Sequence, residues 1–271
     1  MFKINNLTYQ YDKTRKALDN VSMDFNKGNI IGIIGSNGSG KSTLFNNLMG
    51  ILKSTEGEIL YNGEQIKYDK KSLYNLRKEV GIVFQDPEKQ IFYSMVYDDI
   101  AFALRNIGID EKTIKERIHT ALEAVNGLQF IDRPVHNLSF GQKKRVAIAS
   151  VVAMENKLVL LDEPTAGLDP ISTRAIVDII KGLNDRGVKI IISSHDMNLI
   201  YEICDYVYVL NQGVLINEGT REEVFINEEK IDEAGLELPW LVKLHKNMGL
   251  PLFPKEEDLY SFWNKQAQKT V

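Results

Sequence analysis

A chain of 271 residues, 44% hydrophobic and 26% charged, has the make-up of a soluble globular protein with length for a sizeable core. Its net charge of −4 disfavours a general nucleic-acid binder, and a lone cysteine, Cys204, excludes an internal disulfide and is expected to be buried in a reduced protein. Residues 1–20 carry Lys3, Asp12, Lys13, Arg15 and Lys16 rather than an apolar leader, and no run of about 18 apolar residues occurs, so any membrane role falls to a partner.

Residues 2–11 alternate apolar and polar through Phe2, Ile4, Leu7, Tyr9 and Tyr11, and Val21-Ser22-Met23-Asp24-Phe25 alternates again. Two short strands joined by a turn that includes Asp12-Lys13 are expected. The apolar run Ile30-Ile31-Gly32-Ile33-Ile34 then leads into Gly35-Ser36-Asn37-Gly38-Ser39-Gly40-Lys41-Ser42, and Thr43-Leu44-Phe45 starts a helical pattern. Strand, glycine-rich loop and helix, with Gly, four residues and Gly-Lys-Ser, form a P-loop context. Glycines let successive N–H groups curl around an anion, and the helix N-terminus adds its positive dipole end. Lys41 then reaches the β- and γ-phosphates of a nucleoside triphosphate, while the Ser42 hydroxyl is placed to ligate Mg²⁺. With a nucleotide there, Tyr11 is either a core tyrosine or an aromatic that stacks on the base.

Downstream, Glu56 to Gly63 reads as a strand ending in an Asn-Gly turn, and Val80 to Phe84 as a buried strand stopped by Gln85-Asp86-Pro87. Ile114, Ile118, Ala121, Leu122 and Val125 recur at helical spacing, which predicts a helix over about 111–126. Ser139 is expected to cap a helix carrying Val146-Ala147-Ile148-Ala149. Leu158 to Leu161 is a wholly apolar strand ending at Asp162-Glu163-Pro164. Ile176, Ile179, Ile180 and Leu183 mark another helix, and Val188 to Ile192 another buried strand ending at Ser193-Ser194-His195. Strands alternating with helices predict an α/β fold with a parallel sheet and its chemistry at the strand carboxyl ends. The composition changes near residue 220, where Pro239, Pro251 and Pro254 begin to interrupt short amphipathic pieces. A nucleotide-binding domain over 2–220 and a C-terminal extension over 221–271 are expected.

At those strand ends Asp162 stands in a Walker B context and is expected to hold Mg²⁺, directly or through water. Glu163 is placed to orient or deprotonate the attacking water. Gln85 is either a sensor of the γ-phosphate through Mg²⁺ or water, or a plain loop amide. His195 is either a γ-phosphate contact or a structural histidine.

Leu138-Ser139-Phe140-Gly141-Gln142 resembles the LSGGQ signature of ATP-binding-cassette (ABC) proteins, and Ala166-Gly167-Leu168-Asp169 is similar to their D-loop. The order and spacing of Tyr11, Gly35 to Thr43, Gln85, Ser139 to Gln142, Asp162-Glu163, Asp169 and His195 match that family over residues 2–220. The resemblance implies a P-loop NTPase cassette: a RecA-like parallel-sheet core, an antiparallel β subdomain and a helical signature subdomain, followed by the extension. It also implies two cassettes packed head to tail, with ATP and Mg²⁺ between one P-loop and the opposite signature. Catalysis then falls to Glu163, His195 and Gln85. Nucleotide binding falls to Tyr11, Gly35, Ser36, Asn37, Gly38, Ser39, Gly40, Lys41, Ser42 and Thr43, with Ser139, Gly141 and Gln142 serving the other subunit's ATP. Ser42, Gln85 and Asp162 would hold Mg²⁺. Phe140 departs from the family pattern, which has glycine there.

Gln85 to Phe92 and Val96 to Phe102 resemble the corresponding stretch in ATPase subunits of energy-coupling factor importers, including the cobalt-type members called CbiO, and Lys143 to Ala149 resembles the cobalt and nickel members. This implies an ATPase on the cytoplasmic face of the cell membrane that drives uptake of a transition-metal ion, cobalt or nickel, or of a vitamin. Its partners would be a second ATPase subunit (identical or a sister chain), a transmembrane coupling subunit contacting about 85–102, and a substrate-binding membrane subunit. Nucleic acid is not among them, and the extension would serve dimerisation. The alternatives are a soluble ABC ATPase of DNA repair or translation, disfavoured by a single cassette without sustained heptads, and an exporter ATPase.

Overall fold

The computed structural model describes residues 1–12 and 15–267; Lys13 of the expected first turn and the last four positions of the extension, 268–271, lie outside them. Strand β1 (Phe2–Gln10) buries Phe2, Ile4 and Leu7, and β2 (Lys16–Asp24) buries Leu18, Val21 and Met23 against it in antiparallel pairing. Strand β3 (Ile30–Ile34) is buried along its whole length and runs into the glycine loop and helix α1 (Lys41–Leu48). Strands β4 (Glu56–Tyr61) and β5 (Glu64–Gln65) form a hairpin closed by Asn62 and Gly63, both at positive φ as the tight turn requires. They complete a four-stranded antiparallel sheet in the order β2-β1-β4-β5.

The second sheet positions the site. It is built on β3, β6 (Val80–Val83), β7 (Leu158–Asp162), β8 (Lys189–Ser194), β9 (Tyr206–Asn211) and β10 (Val214–Thr220). Its order is β10-β9-β3-β8-β7-β6, all parallel except the β10 edge. Strands buried on both faces read as continuous apolar runs, which is why Ile30 to Ile34 and Leu158 to Leu161 show no alternation. Register fixes what meets at the carboxyl edge: Ile34 lies beside Ser194, and Asp162 beside Ser193. The ends of β3, β7 and β8 therefore deliver the glycine loop, Asp162-Glu163 and His195 to one place.

Helix α2 (Lys70–Glu79) precedes β6. Beyond β6, α3 (Val96–Asn106), α4 (Glu111–Ala124) and α5 (Phe140–Ala153) pack on one another through Ile100, Leu104, Ile114, Ile118, Leu122 and Val146, giving the helical subdomain. Asp110 caps α4 by accepting the Thr113 N–H, and Asp169 caps α6 (Pro170–Asp185) by accepting the Ser172 N–H at 2.9 Å. Helix α7 (Met197–Ile203) follows β8, and Cys204 at its end is buried. The expected boundary at 220 coincides with the end of β10. Helices α8 (Arg221–Ile226), α9 (Glu228–Glu233), α10 (Trp240–Met248) and α11 (Glu256–Ala267) then return to the body. Their Phe225, Ile231, Val242 and Leu259 share one apolar core with Ile34, Val159 and Ile192, and the Tyr201 hydroxyl donates to the Phe253 carbonyl at 3.1 Å.

Candidate functional site

The glycine loop closes because side chains are missing where backbone must pass. Gly40 has φ 107°, and a Cβ there would stand 2.6 Å from the Ala17 carbonyl oxygen of β2; at Gly35 it would stand 2.2 Å from that of Leu210 in β9. The loop is thus wedged between both sheets. The buried Lys41 ammonium folds back onto it, donating to the carbonyls of Gly35 (2.7 Å) and Ser36 (3.2 Å), and lies 3.8 Å from Oε1 of Glu163. Burial pulls this ammonium below the ordinary lysine value, with Glu163 and Asp162 opposing. Inside the same loop the Ser39 hydroxyl is buried without a hydrogen-bond partner. A buried amine held by loop carbonyls, an orphaned hydroxyl and a backbone cradle that excludes Cβ atoms all suit a polyphosphate.

A cleft of 470 Å³ opens over the loop, bordered by Tyr11, Asp12, Arg15, Lys41, Gln85 and Glu163 besides the loop itself. Tyr11 is 64% exposed, so it is a rim residue and not a core tyrosine. Its phenol oxygen is 3.2 Å from Thr43 Oγ1, and Tyr9 meets it edge to face at 4.9 Å, leaving a ring surface open to a planar ligand. Ser42 and Gln85 are exposed, Gln85 two residues beyond the end of β6. His195 and Ser36 border an adjoining crevice that shares Asn37 with the cleft.

Asp162 and Glu163 are both buried. Ser193, from the neighbouring strand, donates its hydroxyl to Asp162 Oδ1 at 2.5 Å and accepts the Glu163 N–H at 3.0 Å. One hydroxyl therefore sets both acidic residues. Glu163 sits at φ 47°, a left-handed conformation that costs a non-glycine residue about 1–3 kcal/mol and must be held by its surroundings. Its Oε2 meets His195 Nδ1 at 2.7 Å, while the His195 ring is mostly exposed. The Asp162 carboxylate, Ser42 hydroxyl and Gln85 amide are hard oxygen donors of the kind that suits Mg²⁺. Among the described residues no group of three or more His, Cys, Asp or Glu could hold a metal, so a cation here would take its remaining oxygens from substrate phosphates and water.

Ser139, Gly141 and Gln142 lie outside this cleft. They form the start of α5: Ser139 Oγ accepts the Gln142 N–H at 3.3 Å, and the Ser139 N–H donates to Gln142 Oε1 at 2.9 Å, a closed capping box. The Phe140 ring turns away from the helix end, towards Gly167 and over the Lys144 ammonium at 5.4 Å. Three residues were missed in the sequence: Ser193, Arg15 and Lys144. Lys144 is wholly buried and donates to the carbonyls of Glu163 (2.9 Å), Pro164 (3.0 Å) and Ala166 (2.9 Å). Burial pulls its ammonium down to about 8 against the attraction of Glu163, Asp162 and Asp86.

Comparison with known proteins adds three findings. The family model described as "ABC transporter" matches residues 18–166. The cobalt import ATP-binding protein CbiO of Salmonella typhimurium is 45% identical over 98% of both chains, and the energy-coupling factor transporter ATP-binding protein EcfA of Methanosphaera stadtmanae is 43% identical over 92% of this chain and 89% of its own. Among solved structures, cbiO1 from Clostridium perfringens, described as part of the ABC transporter complex cbiONQ, superposes with a TM-score of 0.77 at 41% identity, covering 90% of this chain and 98% of that one.

Proposed function

This chain belongs to the ABC transporter family as an ATP-hydrolysing cassette, and on that premise we propose that it is the motor of an energy-coupling factor type importer. The observation that carries the reading is the division of the site. One copy gathers the phosphate loop, Glu163 and an aromatic rim round one cleft, and turns the capped end of α5 elsewhere. A helix N-terminus offering N–H groups, a hydroxyl and dipole charge serves an anion that its own chain does not bring to it. A second copy or sister chain, laid head to tail, supplies that anion as the γ-phosphate of its ATP. The 221–271 extension supports this pairing.

In the reaction Lys41 and the loop N–H groups hold the triphosphate and offset its charge. Ser42, Asp162 and Gln85 would hold Mg²⁺, which would supply neutralisation of the phosphate charge. Glu163 accepts a proton from the water that attacks the γ-phosphorus; the bond to the bridging oxygen breaks and ADP and phosphate leave. His195 orients Glu163 and reaches the γ-phosphate from the exposed side. Tyr11 stacks on the base. Ser139, Gly141 and Gln142 clasp the partner's nucleotide, so closing the pair completes two sites and hydrolysis reopens it.

The membrane partner docks near residues 85–102. Phe92, Tyr93 and Phe102 stand there with 77%, 43% and 40% of their surface exposed, and exposed aromatics of this kind support a contact there. No helix among the described residues is long and apolar enough to cross a membrane. In this reading the protein works from the cytoplasmic face through that partner and a substrate-binding membrane subunit. The cargo is a cobalt or nickel ion, in keeping with the CbiO likeness, or a vitamin.

Affinity purification of the tagged protein from detergent-solubilised membranes tests this. A polytopic coupling subunit in stoichiometric amount, lost when Phe92 and Phe102 are replaced by Ser, is expected. Recovery with ribosomes or DNA and no membrane subunit would overturn the transport reading.

A further inference from the structure

Lysines keep their ammonium in water even when their stems are buried, and Lys144 does not. It lies one turn into α5, five residues from the Ser139 cap, yet its Nζ sits under the turn that leaves β7. An ammonium has three N–H donors, and here they go to the carbonyls of Glu163, Pro164 and Ala166, a full complement within one short stretch of backbone. That stretch starts at the strained φ of Glu163 and runs to Gly167, itself at φ 74°. Phe140 closes the exposed side, its ring over the ammonium and beside Gly167. On the far side of the same turn, the Glu163 carboxylate faces Lys41 and His195. Any rotation of the turn would swing that carboxylate out of line.

We propose that Lys144 is a positioning residue for Glu163, a cross-tie through which the helix that clasps the partner's nucleotide also holds the base of its own site in line. The tie acts on backbone and not on substrate, so it affects the chemical step and leaves phosphate binding to the loop and Lys41. Displacement of α5 when a partner docks is then felt at Glu163 in the same chain. The inference rests on the assignment of Glu163 as the base.

The test compares wild type, Lys144→Met (similar length without donors), Lys144→Gln (a shorter arm with two donors) and Glu163→Gln in the full chain. Steady-state turnover, the Kd of a fluorescent ATP analogue and thermal melting are measured for each. Lys144→Met is expected to lower kcat about 100-fold, as a slightly misplaced base does, with Kd within about threefold of wild type. Lys144→Gln should recover part of that loss. If Lys144→Met does not fold, Lys144→Gln carries the same comparison, with a loss of about tenfold in kcat at unchanged Kd expected. Turnover within about twofold of wild type in the folded variant, or a rise in Kd that accounts for the whole loss, would overturn the proposal. A silent wild type, or an active Glu163→Gln, would instead overturn the functional reading beneath it.

Discussion

His195 Nδ1 lies 2.7 Å from Oε2 of Glu163, and the backbone N–H of His195 points at the same oxygen from 3.3 Å. The two residues close the sheet edge as a unit, one buried and one open to solvent, with Lys41 on the remaining oxygen. Replacing Glu163 by Gln keeps the shape and removes the base. Turnover should fall at least about 100-fold, while the affinity for ATP stays close to wild type and the paired state accumulates. Hydrolysis near the wild-type rate in a phosphate-release assay would remove Glu163 from its role.

Ser193 offers a test that the motifs would not suggest. Its hydroxyl is buried between Asp162 and the Glu163 N–H, and Ala at this position leaves a carboxylate oxygen without its donor. A loss of about 1–3 kcal/mol is expected, read as a fall of several degrees in melting temperature. The Mg²⁺ concentration for half-maximal ATPase should also rise about tenfold, because a freed ligand no longer presents one oriented oxygen. An unchanged Mg²⁺ requirement would show that Asp162 needs no such support.

Asp99 gives a pH signature at the proposed docking patch. Burial raises its pKa from 3.8, although its Oδ1 accepts the Phe92 N–H at 2.8 Å and that of Tyr93 at 3.1 Å. A raised folded pKa means that the folded state binds more protons than the unfolded one in the window above 3.8, so the ionised group lowers stability as pH rises through it. Asp99→Asn keeps an acceptor oxygen and removes the charge. Its melting temperature should equal or exceed that of wild type at pH 7, and the gap should close below about pH 4. A variant less stable at pH 7 than at pH 4, relative to wild type, would contradict the assignment of the shift to burial.

The parallel strands were legible because burial on both faces leaves unbroken apolar runs, and the candidate site could be picked out because glycine, lysine and acidic residues at fixed spacings suit phosphate chemistry. Helix α2 was not, since only Leu76 of its ten residues is buried and a lone apolar anchor sets no period. The β9–β10 hairpin also went unread, although Asn211-Gln212-Gly213 between two apolar runs is a turn signal with Gln212 and Gly213 at positive φ. Lys144 lies in the stretch Lys143 to Ala149, which resembles the cobalt and nickel members, but that resemblance assigns it no contact with Glu163. Spacing held the clue: Lys144, Ala147, Ile148 and Val151 fall on one buried stripe of α5, so the lysine occupies a core position. Ser193 is set by register alone, since only the pairing of Asp162 with Ser193 brings the hydroxyl to the carboxylate.

The return of the tail has a practical side. Tyr201 rests edge-on against Phe225 and is pinned at its hydroxyl by the Phe253 carbonyl, while the Trp240 N–H fastens to Asn198 on the helix just past His195. A protease or a genetic truncation that removed everything after Thr220 would unroof that helix and wet the underside of the catalytic ledge. A shortened motor made to study the cassette in isolation would therefore begin with its histidine loose.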